Sequence, residues 1–229
     1  MSMTILDNIP FDFDAEAFQR TTHIDPSAPA GRHTARLIAQ AVAAARPKAV
    51  YRTCYVDEHG DESIELEGTR FSSAALAQNL AEVERVFAYV ATCGNELEEM
   101  QHAEQDALSQ YALDGLKEMF LRTAVEYLKQ HLAAEFGIEA DALSSMNPGS
   151  GNRNVWPIGQ QKLLFGLLGD VEASIGVRLN DSFLMVPNKT VSGILFPSSV
   201  PFVSCQLCTR EHCPLRRAAY TGIAEPVGH

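Results

Sequence analysis

Three of the chain's five cysteines, Cys205, Cys208 and Cys213, fall close together near its end in the pattern C-x2-C-x4-C-P. Two thiolates separated by two residues can grip one metal from a single turn, and a third brings a three-ligand set. The local pattern leaves the fourth position open to His212, Cys54, Cys93 or an exogenous ligand. Cys3His is an ordinary zinc set, whereas a thiolate-ligated iron-sulfur cluster reaches the low potentials needed for one-electron reduction. An iron-sulfur cluster and zinc are both consistent with these residues. Arg210, Arg216 and Arg217 stand beside the cysteines, where they would make such a cluster less negative or dock an electron-donor protein.

A second candidate is the loop Asn147-Pro148-Gly149-Ser150-Gly151-Asn152. Its two glycines permit positive φ and close approach of backbone N–H groups to a partner. It has neither the G-x-G-x-x-G fingerprint nor the Lys and Ser/Thr of a P-loop, so a plain turn explains it as well. Glu99 and His102 have di-iron spacing but no second copy, and Cys54, in mid-strand, suits a small buried hydrophobe. No Ser-His-Asp set, Cys-His dyad or carboxylate pair points to a hydrolase.

The chain has 229 residues, 46% of them hydrophobic, and a formal net charge of -11. That length and composition suffice for a normal core, and the charge disfavours a nucleic-acid surface. No apolar run reaches the length of a membrane span, and the N-terminus lacks the basic and apolar parts of a signal peptide. Clustered cysteines in odd number suit a reduced compartment, and the expected location is the cytoplasm.

The elements that must position these residues follow from periodicity. Residues 1–32 read as an irregular arm with one helical turn around Ala15 to Arg20. An amphipathic helix runs from Thr34 to Ala45, and a hairpin joins Ala49–Asp57 to Glu62–Leu66 with its turn at Gly60. Ser72 or Ser73 caps a helix through Leu80, and Val83 to Thr92 is a strand. Asn95 and Glu98 have capping-box spacing. A long helix or pair follows to Gly137, with Leu108, Tyr111, Leu116, Met119, Phe120, Leu128, Leu132 and Phe136 on its apolar face and Gly115 as a break. Pro157 starts a helix to Leu168 that turns Leu163, Leu164, Leu167 and Leu168 inward. Phe183–Val186 and Val191–Phe196 are apolar strands.

The segments W-P-I-G-Q-Q-K-L-L-F-G-L-L, I-G-V-R-L-N-D-S-F-L-M-V-P and V-S-G-I-L-F resemble the activation (reactivation) domain of cobalamin-dependent methionine synthase, and more closely its short stand-alone relatives. The V-A-T-C-G-N-E-L junction and the long helix fit the same order, from Ala49 to Phe202. The resemblance implies an α+β fold, a curved antiparallel sheet with packed helices over 33–202, between the 1–32 arm and a cysteine-bearing tail, 203–229. It also implies an accessory role, in which the chain engages a corrinoid protein or cobalamin-dependent methyltransferase and supports reductive reactivation or remethylation of the corrinoid that partner carries.

That family binds S-adenosylmethionine through a loop R-x-x-P-G-Y, whose arginine and tyrosine align here with Ser145 and Ser150. A hydroxyl does not replace a bidentate guanidinium, and each charge-assisted hydrogen bond lost is worth about 1.5 to 3 kcal/mol. The expectation is therefore impaired S-adenosylmethionine binding, with Arg153 placed to take over. Glu126 in A-V-E-Y-L aligns with a ligand-binding carboxylate of the family, although a solvent-facing glutamate fits that helix equally. Ser192 and Gly193 match its S-G, where the glycine would admit a corrinoid edge or a partner backbone, or mark a β-bulge. An S-adenosylmethionine-binding methyltransferase and a metal-stabilised binding module with an acidic contact helix are the alternative readings.

Overall fold

The computed structural model describes residues 2–25, 32–150, 155–198, 202, 204–212, 216 and 218–221. In chain order its elements are β1 (Thr4–Leu6), α1 (Ala15–Thr22), α2 (Arg32–Ala44), β2 (Lys48–His59), β3 (Ser63–Leu66), β4 (Thr69–Ser72), α3 (Ala74–Asn79) and β5 (Arg85–Thr92). Then come α4 (Glu98–Ala103), α5 (Ala107–Phe136), β6 (Leu143–Met146), α6 (Gln161–Leu168), α7 (Val171–Ile175), β7 (Arg178–Leu179), β8 (Met185–Val186) and β9 (Thr190–Pro197). The main sheet is antiparallel with the order β4-β3-β2-β5-β9-β6, and β1 pairs with the first half of β2. This is the α+β architecture expected.

Alternation along β5 decides the layers, because successive side chains leave a strand on opposite faces. Phe87, Tyr89 and Ala91 pack with Ala124, Leu128 and Leu132 of α5. Val86, Ala88 and Val90 pack with Leu76 of α3, Leu164 and Leu168 of α6, Val171 of α7 and the fully buried Trp156. The sheet is thus covered on both faces.

The long helix divides its attention. Ala112, Leu113, Leu116 and Phe120 join Phe18 of α1 and Leu37, Ile38 and Ala41 of α2, whereas the later residues meet the sheet. Because the partner changes along its length, the buried stripe shifts, and Leu108 and Tyr111, expected inside, are 46% and 52% exposed. Gly115 does not break α5. A Cβ there would come within 2.5 Å of Thr22 Cγ2, so the glycine lets α1 lie close. The actual break separates α4 from α5, where Asp106 caps the new helix by accepting from the Ser109 N–H at 2.8 Å.

Other expectations change on contact with tertiary structure. The N-terminal arm is not irregular throughout, since β1 enters the sheet and Phe18 is wholly buried. The Asn95–Glu98 capping box does not form. Leu97 is the N-cap, and the Asn95 amide instead donates to the Gly176 carbonyl at 2.8 Å. Leu163 of α6 is 41% exposed rather than inward. The two apolar segments expected as strands do form, β8 pairing with β7 and β9 inserting between β5 and β6. Pro187, lacking an N–H, follows β8 directly and ends its ladder.

A buried charge links α4 to α5. Lys117 is 0% exposed, and its ammonium donates to a Glu98 carboxylate oxygen and to Gln101 Oε1, the latter at 2.7 Å. Removing one partner of such a pair leaves the other uncompensated, whereas replacing both by uncharged groups of similar size is far cheaper. Glu98→Gln is therefore expected to lower unfolding free energy by about 3 kcal/mol, and adding Lys117→Met to recover most of that loss. Denaturant titration of the two variants measures both.

Candidate functional site

The Asn147–Ser150 loop is a tight turn built on the end of β6. The Ser150 N–H donates to the Asn147 carbonyl at 3.1 Å, Pro148 takes the second position, and Gly149 the third with φ +78°. That combination is a type II turn, which requires positive φ at its third residue. The Gly149 N–H donates to the Trp156 carbonyl at 2.8 Å, tying the turn to the start of the α6 segment. Phe71 meets the Trp156 indole edge-on at 5.9 Å, which fixes this side of the site in the core.

Asn147 is buried and holds two strands together. Its side-chain Nδ2 donates to Tyr89 Oη and to the Ser192 carbonyl, each at 2.9 Å. Gly193 is what allows this approach, since a Cβ there would lie 2.2 Å from the Met146 oxygen and 2.5 Å from Asn147 Nδ2. Within the chain, the backbone that comes close to Gly193 is that of Met146 at the end of β6.

A cleft of about 220 Å³ opens beside this junction, bounded by the Asn147–Ser150 turn, Ile158, Gln161, the 183–185 segment and Thr190 to Ser192. Every described residue that lines it is uncharged. Thr190 Oγ1 is engaged with Thr92 Oγ1 at 2.9 Å, and Gln161 Nε2 donates to the Phe183 carbonyl at 3.2 Å. Ser192 is 2% exposed, and its buried hydroxyl oxygen meets no hydrogen-bond partner.

The structure thus brings Asn147, Gly149, Ser150 and Ser192 to one cleft, with Gly193 behind them. Glu126 is not part of it. That residue is exposed on α5, where its carboxylate accepts from Gln130 Nε2 at 3.0 Å, as one turn of helix dictates. Ser145 is buried in β6 opposite Leu195. Gly151 and Arg153 lie outside the described residues. Sequence reasoning missed Gln161 and Phe183. A buried glutamine opening the apolar run of α6 was the available signal.

The second site is the tail. A 3₁₀ turn, Ser204–Leu207, anchors it through Leu207, which belongs to the core cluster of Val155 and Trp156. The Cys208 N–H donates to the Cys205 carbonyl at 3.2 Å. The 3₁₀ turn ends at Leu207, and Cys208 follows it directly. The guanidinium of Arg216 gathers the loop's carbonyls. Nη1 donates to the Cys205 and Ala218 oxygens, both at 3.2 Å, and Nη2 to that of Cys208 at 3.1 Å and to that of Arg210. Arg216, expected to offset a cluster's charge or meet a donor protein, is engaged within the tail itself. Beside it opens a cavity of about 500 Å³ bounded by Cys208, Thr209, Glu211, Arg216 and Tyr220.

Among the described residues no group of three or more His, Cys, Asp or Glu side chains is arranged to hold a metal. Cys213 lies outside those residues, and His212 is exposed. Cys54 and Cys93, also candidates for the fourth position, are wholly buried in two different core clusters, where burial pushes their thiols up to about 11 and about 12.

The protein is thus an α+β fold, an antiparallel sheet covered on both faces with a Pro-Gly turn at the end of its edge strand β6. In particular, the protein is similar to the MetH reactivation domain, seen in a crystal structure bound to AdoHcy, with a TM-score of 0.58 and 16% identity. The match covers 89% of this chain and 81% of that one. No protein-family profile and no curated protein sequence matches the chain. No helix among the described residues is long and apolar enough to cross a membrane.

Gly193→Ala is expected to destabilise the protein by on the order of 4 kcal/mol, read from thermal or chemical unfolding, because backbone rather than a flexible side-chain end must move. The thiols give a pH test. Unfolded thiols ionise from their ordinary value of 9.0, and the folded ones only at about 11 and about 12. Burial raises Tyr51 in the same sense. The stability these groups confer is complete below pH 9 and is lost as pH rises towards 11 to 12. In the Cys54→Ala/Cys93→Ala variant, the alkaline slope of unfolding free energy is expected to be shallower than in the parent.

Proposed function

We propose that the protein is an accessory factor that engages a corrinoid protein and supports the reductive reactivation or remethylation of the corrinoid that partner carries. The observation that carries this reading is the MetH reactivation-domain fold over 89% of the chain. The proposed organisation keeps that fold at 33–202, preceded by the 1–32 segment and followed by the 203–229 tail. An acidic chain of this kind works in the cytoplasm on a protein partner, not on nucleic acid.

The MetH reactivation domain was crystallised with AdoHcy, and the described residues of this cleft do not by themselves supply the charges that AdoHcy or S-adenosylmethionine would call for. Each has a zwitterionic amino-acid head, and the described cleft residues offer neither a cation nor an anion. Its volume of about 220 Å³ also falls below the roughly 300–1,000 Å³ usual for such ligands. No methyl-transfer step is assigned to this chain's own residues.

The tail supplies the second part of the reading. Cys205 and Cys208, joined through one backbone hydrogen bond, have the C-x2-C spacing of a two-thiolate grip, which Cys213 and His212 would complete. An iron-sulfur cluster there would supply the electron for cobalt reduction, and zinc would make the tail structural. The residues themselves do the positioning. Leu207 fixes the turn to the core, and Arg216 holds the carbonyls of both cysteines without using a thiol.

Titration of anaerobically purified protein against corrinoid proteins with the cobalt reduced, oxidised or methylated is expected to give binding that depends on cobalt state. Absence of binding in every state overturns the proposal. A visible spectrum of the same preparation tests the tail. A broad band near about 400 nm, lost in Cys205→Ser, assigns an electron-transfer role, and a colourless protein with one zinc assigns a structural one.

A further inference from the structure

We propose that Cys205 and Cys208 form a reversible dithiol–disulfide couple, closed by exchange with an external disulfide, and that closing it opens the two-thiolate metal grip. The couple stands on the geometry of the tail alone, and its effect on a metal rests on the functional reading above.

The backbone brings the two residues within bonding reach. The Cys208 N–H donates to the Cys205 carbonyl at 3.2 Å, and a turn closed in this way keeps its end Cα atoms under about 7 Å apart. Disulfides span Cα separations of about 4.4–6.8 Å. Contacts that use no sulfur hold the turn in place. Leu207, between the two cysteines, lies in the core, the Thr221 N–H donates to the Gln206 carbonyl at 2.9 Å, and Arg216 donates to the carbonyls of both cysteines. Much of the entropy cost of closing a ring is therefore met by the fold before any bond forms.

Exposure separates this pair from the buried thiols. Cys54 and Cys93 are 0% exposed in two different core clusters, sealed from a reagent in solution. Cys205 and Cys208 are both partly exposed. Cys208 also bounds the cavity of about 500 Å³ that it shares with Thr209, Glu211, Arg216 and Tyr220, space in which a small external disulfide approaches that residue. Cys208 is thus assigned the first attack, and Cys205 the second.

The exchange balances in two steps. The Cys208 thiolate attacks one sulfur of the external disulfide and expels the other as a thiolate. The Cys205 thiolate then attacks the Cys208 sulfur of the mixed disulfide and expels the second external thiolate. One S–S bond forms in the chain and one breaks in the reagent. Two electrons pass from the cysteines to the reagent, and the two thiol protons end on its thiolates. A closed pair offers no thiolate, which is the form that ligates a metal.

Thiol mapping tests the couple. Full-length protein is equilibrated anaerobically with reduced and oxidised glutathione in the presence of a metal chelator, quenched in acid, alkylated after unfolding and cut with trypsin. Cleavage after Lys189 and Arg210 places Cys205 and Cys208 in peptide 190–210 and Cys213 in peptide 211–216, so mass spectrometry tells their bonds apart. Peptide 190–210 is expected unalkylated and two hydrogens lighter, in a fraction that rises with oxidant and is reversed by dithiothreitol. Cys205→Ser is expected to trap glutathione on Cys208. Replacing the chelator by zinc is expected to raise the oxidant ratio needed for the bond, because metal and disulfide compete for the same sulfurs. Peptide 190–210 alkylated at both cysteines at every ratio, or joined to 211–216 instead, overturns the couple. Glutathione collecting on Cys205 in Cys208→Ser as fast as on Cys208 in Cys205→Ser overturns the order of attack. Zinc bound by the reduced chain without a change in the oxidant ratio overturns the link to the metal grip. A reduced chain that takes up neither zinc nor iron overturns the metal reading and leaves the couple standing.

Discussion

From Val86 to Thr92, β5 is buried at every residue, and both its edges are hydrogen-bonded, to β2 and to β9. A strand so enclosed needs a cover on each face, and the run V-F-A-Y-V-A has apolar side chains in both directions to receive one. α5 takes one face, and α3, α6, α7 and Trp156 take the other. The candidate cleft is a consequence of this arrangement. β9 must lie against β5, which sets Ser192 opposite Val90 and Gly193 opposite Tyr89, and the Tyr89 hydroxyl then meets the Asn147 amide.

The parts of the fold that were legible in the sequence are those whose signal is local. The β2–β3 hairpin, α2, the Ser73 cap of α3 and β5 itself come from periodicity and capping chemistry that neighbouring residues supply. β1 and β4 are three and four residues long, too short for a period to register. β6 was hidden for another reason. L-S-S-M reads as polar, yet all four residues are buried, because partners distant in sequence satisfy them. Ser144 Oγ, for example, accepts from the Phe202 N–H at 2.7 Å.

The site divides along the same line. Asn147, Gly149, Ser150 and Ser192 were named from a turn pattern and a family resemblance, and both survive because the turn and β9 are individually local features. Gln161 and Phe183 join them only through packing of α6 and the segment before β8 against that turn, which no spacing encodes. Glu126 shows the opposite case. It is exposed on α5, and no residue of that helix is among the described residues that line the cleft.

The tail illustrates how one arginine can do work usually assigned to a metal. A short segment leaving a sheet has few apolar contacts, and ordering it requires that its backbone carbonyls find partners. Arg216 provides four N–H contacts to four carbonyls, two of them those of Cys205 and Cys208. Each of these contacts goes to a backbone oxygen and none to sulfur. The cleft shows a separation of its own. The turn, the glycine and the strand pairing persist without any charged residue among the described lining, so the scaffold that positions a ligand is independent of the side chains that choose it. The likeness to the MetH reactivation domain is thus one of fold, and the chemistry of the cleft belongs to the side chains this chain carries there.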